Sequence, residues 1–451
     1  MAEHTTSSVM LINSPLFRDS VAATDEDYLP SLGLGMLACA ASNAGIEVEY
    51  IDAIFEKRSV SSLINAIEFS DCGAVGINIF TVNQHLVREI VERVQRPVLF
   101  VLGGLSTRAL LPVINKWNSR NPLHVVFGDG ERIFPALVLN PEGVAHNQIK
   151  NGVRYYEVNT SSPYYVSDIS GIYANRHIFR NEPFLNVHGK SEACVVTSRG
   201  CIYNCAFCAA ARSMNSDIPV REASAKSVRR ELSSILDEHP GIESIRVLDD
   251  LYLKNKESIR RATETFYRYS MSWRAMAHIA SIKQVSPEDL RELRESGCSE
   301  LFIGVESGSP HILRRIHKTS DTQLIREQIS RLFGAGIGVK TYFIFGFPEE
   351  TLDDMSLTAQ LAEDMRDDAL RLGGTFRTSV FQFRPYHGTE LFRGSQAMGT
   401  TIKEKDARFD EELTQRIGRP QYNFESGNFS SVPITTLSDF IARTASLTAV
   451  G

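Results

Sequence analysis

The chain has 451 residues, 43% hydrophobic and 23% charged, with a formal net charge of −6. That length suits about two or three soluble globular domains, and the lack of a strongly basic tract speaks against nucleic acid as a partner. No apolar run reaches the roughly eighteen residues of a membrane span, and Met1-Ala2-Glu3-His4 begins no signal peptide.

Residues 8–138 alternate short apolar runs with helical patterns. Strands are expected at 9–12, 48–51, 74–79, 98–103 and 124–127, and helices at 33–44, 63–69, 83–94, 109–117 and 132–137. Repeated β-then-α units predict a parallel, doubly wound sheet. Five strands suit the flavodoxin-like order, with ligands at the carboxyl ends of the strands. Glycines gather there, in Leu32-Gly33-Leu34-Gly35, Gly103-Gly104 and Gly128-Asp129-Gly130-Glu131. Such pairs read as tight turns as readily as cofactor contacts. Residues 139–190 read as a connector, with turns at Asn140-Pro141-Glu142-Gly143 and Asn151-Gly152 and a hairpin arm at 153–158.

An apolar run at 193–197 leads into Ser198-Arg199-Gly200-Cys201-Ile202-Tyr203-Asn204-Cys205-Ala206-Phe207-Cys208. A loop need not keep helix or sheet hydrogen bonds, so it can wrap Cys201, Cys205 and Cys208 round a metal cluster. Three ligands for a four-iron cluster leave one iron open to a substrate or cofactor, where the usual site has four cysteines. Structural zinc is the alternative, but it wants a fourth Cys or His, and none lies within the loop. Cys39, Cys72, Cys194 and Cys298 sit among apolar or small neighbours and read as buried free thiols. An odd number of cysteines suits a reducing cytoplasm.

A second β-α series follows, with strands expected at 244–248, 273–278, 301–305, 340–345 and 380–383. Each strand ends on polar or glycine-rich residues. These are Asp249-Asp250, His278, Gly304-Val305-Glu306-Ser307-Gly308-Ser309, Phe345-Gly346-Phe347-Pro348-Glu349-Glu350 and Arg384-Pro385-Tyr386-His387-Gly388-Thr389. Residues 396–451 read as a cap, with aromatics over 424–429 and a helix over 435–447.

These motifs together resemble the radical S-adenosylmethionine (AdoMet) superfamily. The resemblance implies an α/β chain: a flavodoxin-like, cobalamin-binding-type domain (1–138), the connector (139–190), a partial (β/α)6 barrel (191–395) and a C-terminal cap (396–451). It implies a [4Fe–4S] cluster on Cys201, Cys205 and Cys208, and AdoMet on the open iron, cleaved reductively to a 5′-deoxyadenosyl radical. It assigns cofactor contacts to Phe207, to Asp249 or Asp250, to Glu306 and Ser307, and to Phe345 and Gly346. Asp249, Asp250, His278 and Tyr386 become the candidate acids and bases, with His387 beside them.

No Asp-x-His-x-x-Gly motif offers a lower cobalt ligand, and His85 and His124 do not fit it, so cobalamin is not the favoured expectation. The favoured reaction is loss of water from a small polar substrate of aminosugar type. It follows from resemblance to the radical AdoMet dehydratases of aminoglycoside (paromamine) antibiotic biosynthesis. The alternatives are a cobalamin-dependent C-methyltransferase and a non-catalytic iron–sulfur electron-transfer protein. The expected electron donor is a flavodoxin, ferredoxin or flavoprotein, and the expected compartment is the cytoplasm.

Overall fold

The computed structural model describes residues 7–16, 28–397 and 428–450. The first residues of the chain and the expected aromatics at 424–427 lie outside the described residues. No described helix is long and apolar enough to cross a membrane.

The first sheet holds β1 (Ser8–Asn13), β2 (Glu47–Asp52), β3 (Ala74–Asn78), β4 (Leu99–Gly103), β5 (Leu123–Gly128), β6 (Gln148–Lys150) and β7 (Val153–Val158), in the order β2-β1-β3-β4-β5-β7-β6. Its first five strands run parallel in the expected flavodoxin-like order. Helices cover both faces, which is why β1 reads as an unbroken apolar run. Met10, Ile12, Val75 and Ile77 face one helix layer, while Val9, Leu11, Ala74 and Val101 face the other. Helix Val60–Glu68 shows how the sequence builds these layers. It buries Val60, Leu63, Ile64 and Ile67, one stripe at helical spacing, and Ser59 caps it by accepting from the Ser62 amide.

The arm expected in the connector is a strand of this sheet. Asn151 and Gly152 both hold positive φ, 50° and 80°, the geometry of a two-residue hairpin. The turn folds β6 back on β7, and β7 pairs parallel with β5.

The second sheet runs β17-β16-β15-β14-β13-β12-β9-β8. Its six central strands, β9 (Ser191–Val195), β12 (Ser244–Val247), β13 (Ser272–Ala277), β14 (Cys298–Glu306), β15 (Gly338–Phe345) and β16 (Phe376–Gln382), are parallel. The edges are closed by short antiparallel strands, β8 (Phe184–Leu185) and β17 (Thr448–Ala449). This is the expected open (β/α)6 barrel. A separate ribbon pairs β10 (Ser198–Arg199) with β11 (Arg221–Glu222).

The barrel interior is charged rather than oily. Arg274 is fully buried and bridges Glu192 of β9 and Glu300 of β14, the latter at 3.1 Å. Arg377 of β16 also takes Glu300, at 2.5 Å. Phe302 lies among Arg246, Arg274, Lys340 and Arg377, which stand 4.9–6.0 Å from its ring centre. Four strands are thus tied across the interior by two carboxylates and two guanidinia. Removing one partner of such a buried set strands the other charge. Glu300→Ala should therefore lower unfolding free energy by about 3–5 kcal/mol, read by urea denaturation under argon.

At the end of β15 the chain turns sharply, with Gly346 at φ 89°. Glu350 Oε2 accepts from the amides of Gly346 (2.5 Å) and Phe347 (3.1 Å) and locks this turn. Its other oxygen has no partner among the described residues. Burial pushes this carboxyl up to about 8, against the two amides. The folded protein then holds a proton that the unfolded chain releases near pH 4.5. This contribution to stability is whole below that pH and lost progressively up to about pH 8. Glu350→Gln, which stays neutral, should gain melting temperature over the wild type as pH rises from 5 to ~8; a constant difference contradicts the assignment.

Candidate active site

The carboxyl ends of the two parallel sheets face one another, and the residues singled out in the sequence lie at that junction. Ribbon β10–β11 leaves the top of β9 and passes through Gly200, at φ 89°, into the cysteine loop. The loop is held by its own backbone. The Cys208 amide donates to the Cys205 carbonyl at 3.1 Å, Arg212 to Tyr203 at 2.8 Å, and Ala206 to Ile316 at 3.2 Å. Phe207 meets Phe347 edge-on at 6.0 Å, and Tyr203 stacks on His278 at 3.9 Å.

Cys201, Cys205 and Cys208 are free and half-buried. Burial pushes all three thiols up, Cys208 to about 12. Opposing that for Cys201 and Cys205 is the buried ammonium of Lys318. Burial favours the neutral thiol, and an arriving cation such as iron would favour the thiolate. No three His, Cys, Asp or Glu side chains among the described residues are placed to hold a single ion. A four-iron cluster asks each sulfur to take a different iron, so its ligands stand apart. Three free cysteine sulfurs on one loop are a donor set that fits a cluster held by Cys201, Cys205 and Cys208.

Glu306 sits at a β-bulge, where the pairing of β14 with β15 shifts register. Its φ of 70° is left-handed, a strained conformation that the surrounding structure must hold in place. Lys318 holds it, with Nζ 3.1 Å from Glu306 Oε1 and 2.9 Å from the Gly304 carbonyl. Burial also pushes the Tyr386 phenol up, opposed by Arg384 and reinforced by the nearby Cys208.

Several expected site residues have other duties. Asp249 is buried and accepts from the Thr197 amide (2.6 Å), the Thr197 hydroxyl (2.7 Å) and the Ser198 hydroxyl (2.7 Å). It fixes the strand that feeds the cysteine loop and offers no oxygen for acid–base work. Ser307 is fully buried against Thr358 at 3.0 Å. The Phe345 ring stacks on Phe440 in the core, at 6.0 Å, and the Gly346 amide is taken by Glu350. His278 caps helix Ile279–Lys283 by accepting from the Ala280 amide at 3.1 Å. Burial and then Lys318 drive it down to about 3, so it is a neutral imidazole and no acid at neutral pH. His387 hydrogen-bonds Thr81 of the first domain and belongs to the domain contact.

Between the two sheets lies a cavity of about 550 Å³. It is continuous with a second of about 360 Å³, sharing Gly104, Gly128, Asp129, Arg199, Leu248 and Asp250. Asp250, unlike Asp249, lines both. Its side chain is open to the cavity; desolvation within the cleft, then the charge of Asp249, pushes its carboxyl up. On the first-domain side the wall sets glycines, Gly33, Gly103 and Gly128 among them, between apolar side chains such as Leu34, Met36 and Phe134. A Cβ at Gly33 or Gly103 would meet nothing within 4 Å, so those glycines leave room for a ligand. Gly104 is different: its φ is 134°, and a Cβ would strike the Ile79 carbonyl at 2.8 Å. It is required by the turn. Among the described residues no histidine lines either cavity. His124 is bonded to Tyr156 at 2.9 Å and pushed down to about 4, chiefly by burial.

Lys318, Arg199 and Tyr203 enter the site without having been singled out. No local signal marks Lys318, which lies twelve residues after Glu306 and meets it only through folding. The Asp249 and Asp250 placements separate experimentally. Asp249→Ala should lower the iron retained after anaerobic reconstitution. Asp250→Asn should retain wild-type iron and slow turnover by about 10²-fold.

Residues 18–138 match the model of the B12 binding domain, and residues 195–362 match that of the radical SAM superfamily. An uncharacterised methyltransferase of Pyrococcus horikoshii is 27% identical over 378 residues, 80% of this chain and 78% of that one. The structure of the cobalamin-dependent AdoMet radical enzyme OxsB, with aqua-cobalamin and AdoMet bound, aligns at a TM-score of 0.66 and 15% identity, over 97% of this chain and 66% of that chain, just under two thirds. The radical AdoMet methyltransferase TsrM of Kitasatospora setae, with cobalamin and a [4Fe–4S] cluster bound, aligns at 0.61 and 16% identity, over 89% of this chain and 76% of that one. At such identities the structures share the fold. The chain belongs to the radical SAM superfamily, with a B12-binding-type domain preceding the barrel.

Proposed function

We propose that the protein is a cobalamin-dependent radical AdoMet C-methyltransferase acting on a small polar substrate. The observation that carries this reading is the shared cavity. Its lower wall is the glycine-lined carboxyl edge of the first sheet, and its upper wall is barrel: Val196, Arg199, Leu248 and Asp250. A cofactor seated against the first domain would face the mouth that holds the cysteines. The names of the P. horikoshii relative and of TsrM support the same reading.

The dehydratase expectation draws less support. It needs a positioned acid for the leaving hydroxyl. Asp249 is consumed by Thr197 and Ser198 and His278 is neutral, which leaves that reaction only Asp250 and Tyr386 among its four candidates. It also leaves the shared cavity without a use. The missing Asp-x-His-x-x-Gly motif bears on one way of holding cobalamin, not on the cavity that would receive it.

When bound, the cluster supplies the electron that splits AdoMet and cobalamin supplies the methyl group. The chain's own residues do the rest. Cys201, Cys205 and Cys208 would hold the iron, and Lys318 offsets the negative charge gathered there. Glu306, pinned by Lys318, presents a carboxylate at the mouth. Asp250 faces the cavity and is placed to take an ammonium or a proton. Tyr386, half-buried after the last barrel strand, would help keep water from the radical. The electron comes from outside, from a flavodoxin, ferredoxin or flavoprotein, and the substrate remains of aminosugar or similar polar class.

Two tests follow. Hydroxocobalamin-loaded, cluster-loaded protein given AdoMet and a strong reductant should form S-adenosylhomocysteine as well as 5′-deoxyadenosine; 5′-deoxyadenosine alone would return the reading to dehydration. Gly103→Leu should fill the cavity without backbone strain and cut hydroxocobalamin retention on gel filtration by about tenfold or more, with iron content unchanged.

A further inference from the structure

Arg199 stands two residues before Cys201, on the ribbon that feeds the cysteine loop. Its guanidinium leaves the barrel and grips the first domain. Nη1 lies 2.9 Å from Asp129 Oδ1 and 3.2 Å from Glu131 Oε2. Nη2 takes Glu131 Oε1 and lies 3.2 Å from the Met36 sulfur. Met36, Asp129, Glu131 and Arg199 all line the 550 Å³ cavity.

The grip is doubled. Arg221, directly opposite Arg199 on the ribbon, holds the same carboxylate, with Nη1 2.5 Å from Asp129 Oδ2 and Nη2 3.1 Å from Oδ1. Its guanidinium lies over Tyr165 at 4.9 Å. The Val166 amide adds a further bond to Asp129 at 3.2 Å. Two arginines and two acids make a closed, neutral set, and Asp129 and Arg221 are buried within it. At its barrel end the ribbon is pinned by Asp249 through Thr197 and Ser198. The Gly128–Glu131 loop of the cavity wall and the first cysteine are thus joined through one side chain and two residues of backbone.

We propose that Arg199 is a positioning residue that couples occupancy of the inter-domain cavity to the cluster loop. A ligand that orders the Gly128–Glu131 loop fixes Asp129 and Glu131, and through Arg199 fixes the approach to Cys201. By linkage the effect runs both ways: a loaded cluster must tighten the cavity for its ligand by the same factor. The inference rests on the cobalamin reading above, with hydroxocobalamin as the probe.

The test is a comparison of two affinities. Hydroxocobalamin is titrated, by absorbance under argon, into the full chain with and without its reconstituted cluster. The wild type should bind about fivefold or more tightly with the cluster in place. In Arg199→Gln that ratio should fall to about one while both forms still bind. A merely structural role would weaken both affinities together and keep the ratio. Glu131→Gln removes half of the grip, leaves Arg221 on Asp129, and should also lower the ratio; it serves if Arg199→Gln does not fold. An unchanged ratio in the variants, or a ratio of one in the wild type, overturns the coupling. Absence of binding to either wild-type form removes the cobalamin reading itself, and the coupling with it.

Discussion

Two parallel sheets point their carboxyl ends at each other, and the rest of the molecule depends on their being held so. In a doubly wound sheet and in a barrel alike, chemistry collects where strands end and loops are free to vary. Either edge alone would be half a site. The ion pairs of Asp129 with Arg199 and Arg221 bring the halves together, and their burial makes the arrangement costly to break. A surface pair at this position would have held little against solvent and salt.

That constraint explains the division of labour between adjacent residues. Asp249 and Asp250 are neighbours at the end of β12, yet one is spent on the strand and the other faces the cavity. Gly103 and Gly104 divide likewise, the first leaving space for a ligand and the second permitting a turn. Glu306 and Ser307 divide again, one turned inward by a bulge and the other sealed against Thr358. In each case the local geometry of the position, not the residue type alone, decides the role.

This is also where reading from sequence reached its limit. The two β-α series, their order and the cysteine loop were legible, because apolar periodicity and Cys spacing are local signals. The strand at Val153–Val158 passed as a connector arm because pairing with β5 is a long-range fact. Ser307, Phe345 and His278 look like site residues by position, but packing turns them aside. Lys318 and Arg199 show the reverse: each acts through partners far away in the chain, Arg199 at 70 residues' separation from Asp129. The preference for a reaction without cobalamin leaned on resemblance to dehydratases and on a missing histidine motif, whereas the cavity is formed by glycines and apolar side chains whose meaning depends on what stands opposite them.

The proposed function puts an iron–sulfur cluster and a corrinoid across a common cavity of one chain. Elemental analysis of protein purified under argon, after cluster reconstitution with hydroxocobalamin and gel filtration, tests it most directly. The account predicts about four irons and about one cobalt for each chain, with Gly33→Leu keeping the iron and losing the cobalt. Iron without cobalt in the wild type, or cobalt that survives a filled cavity, would contradict it.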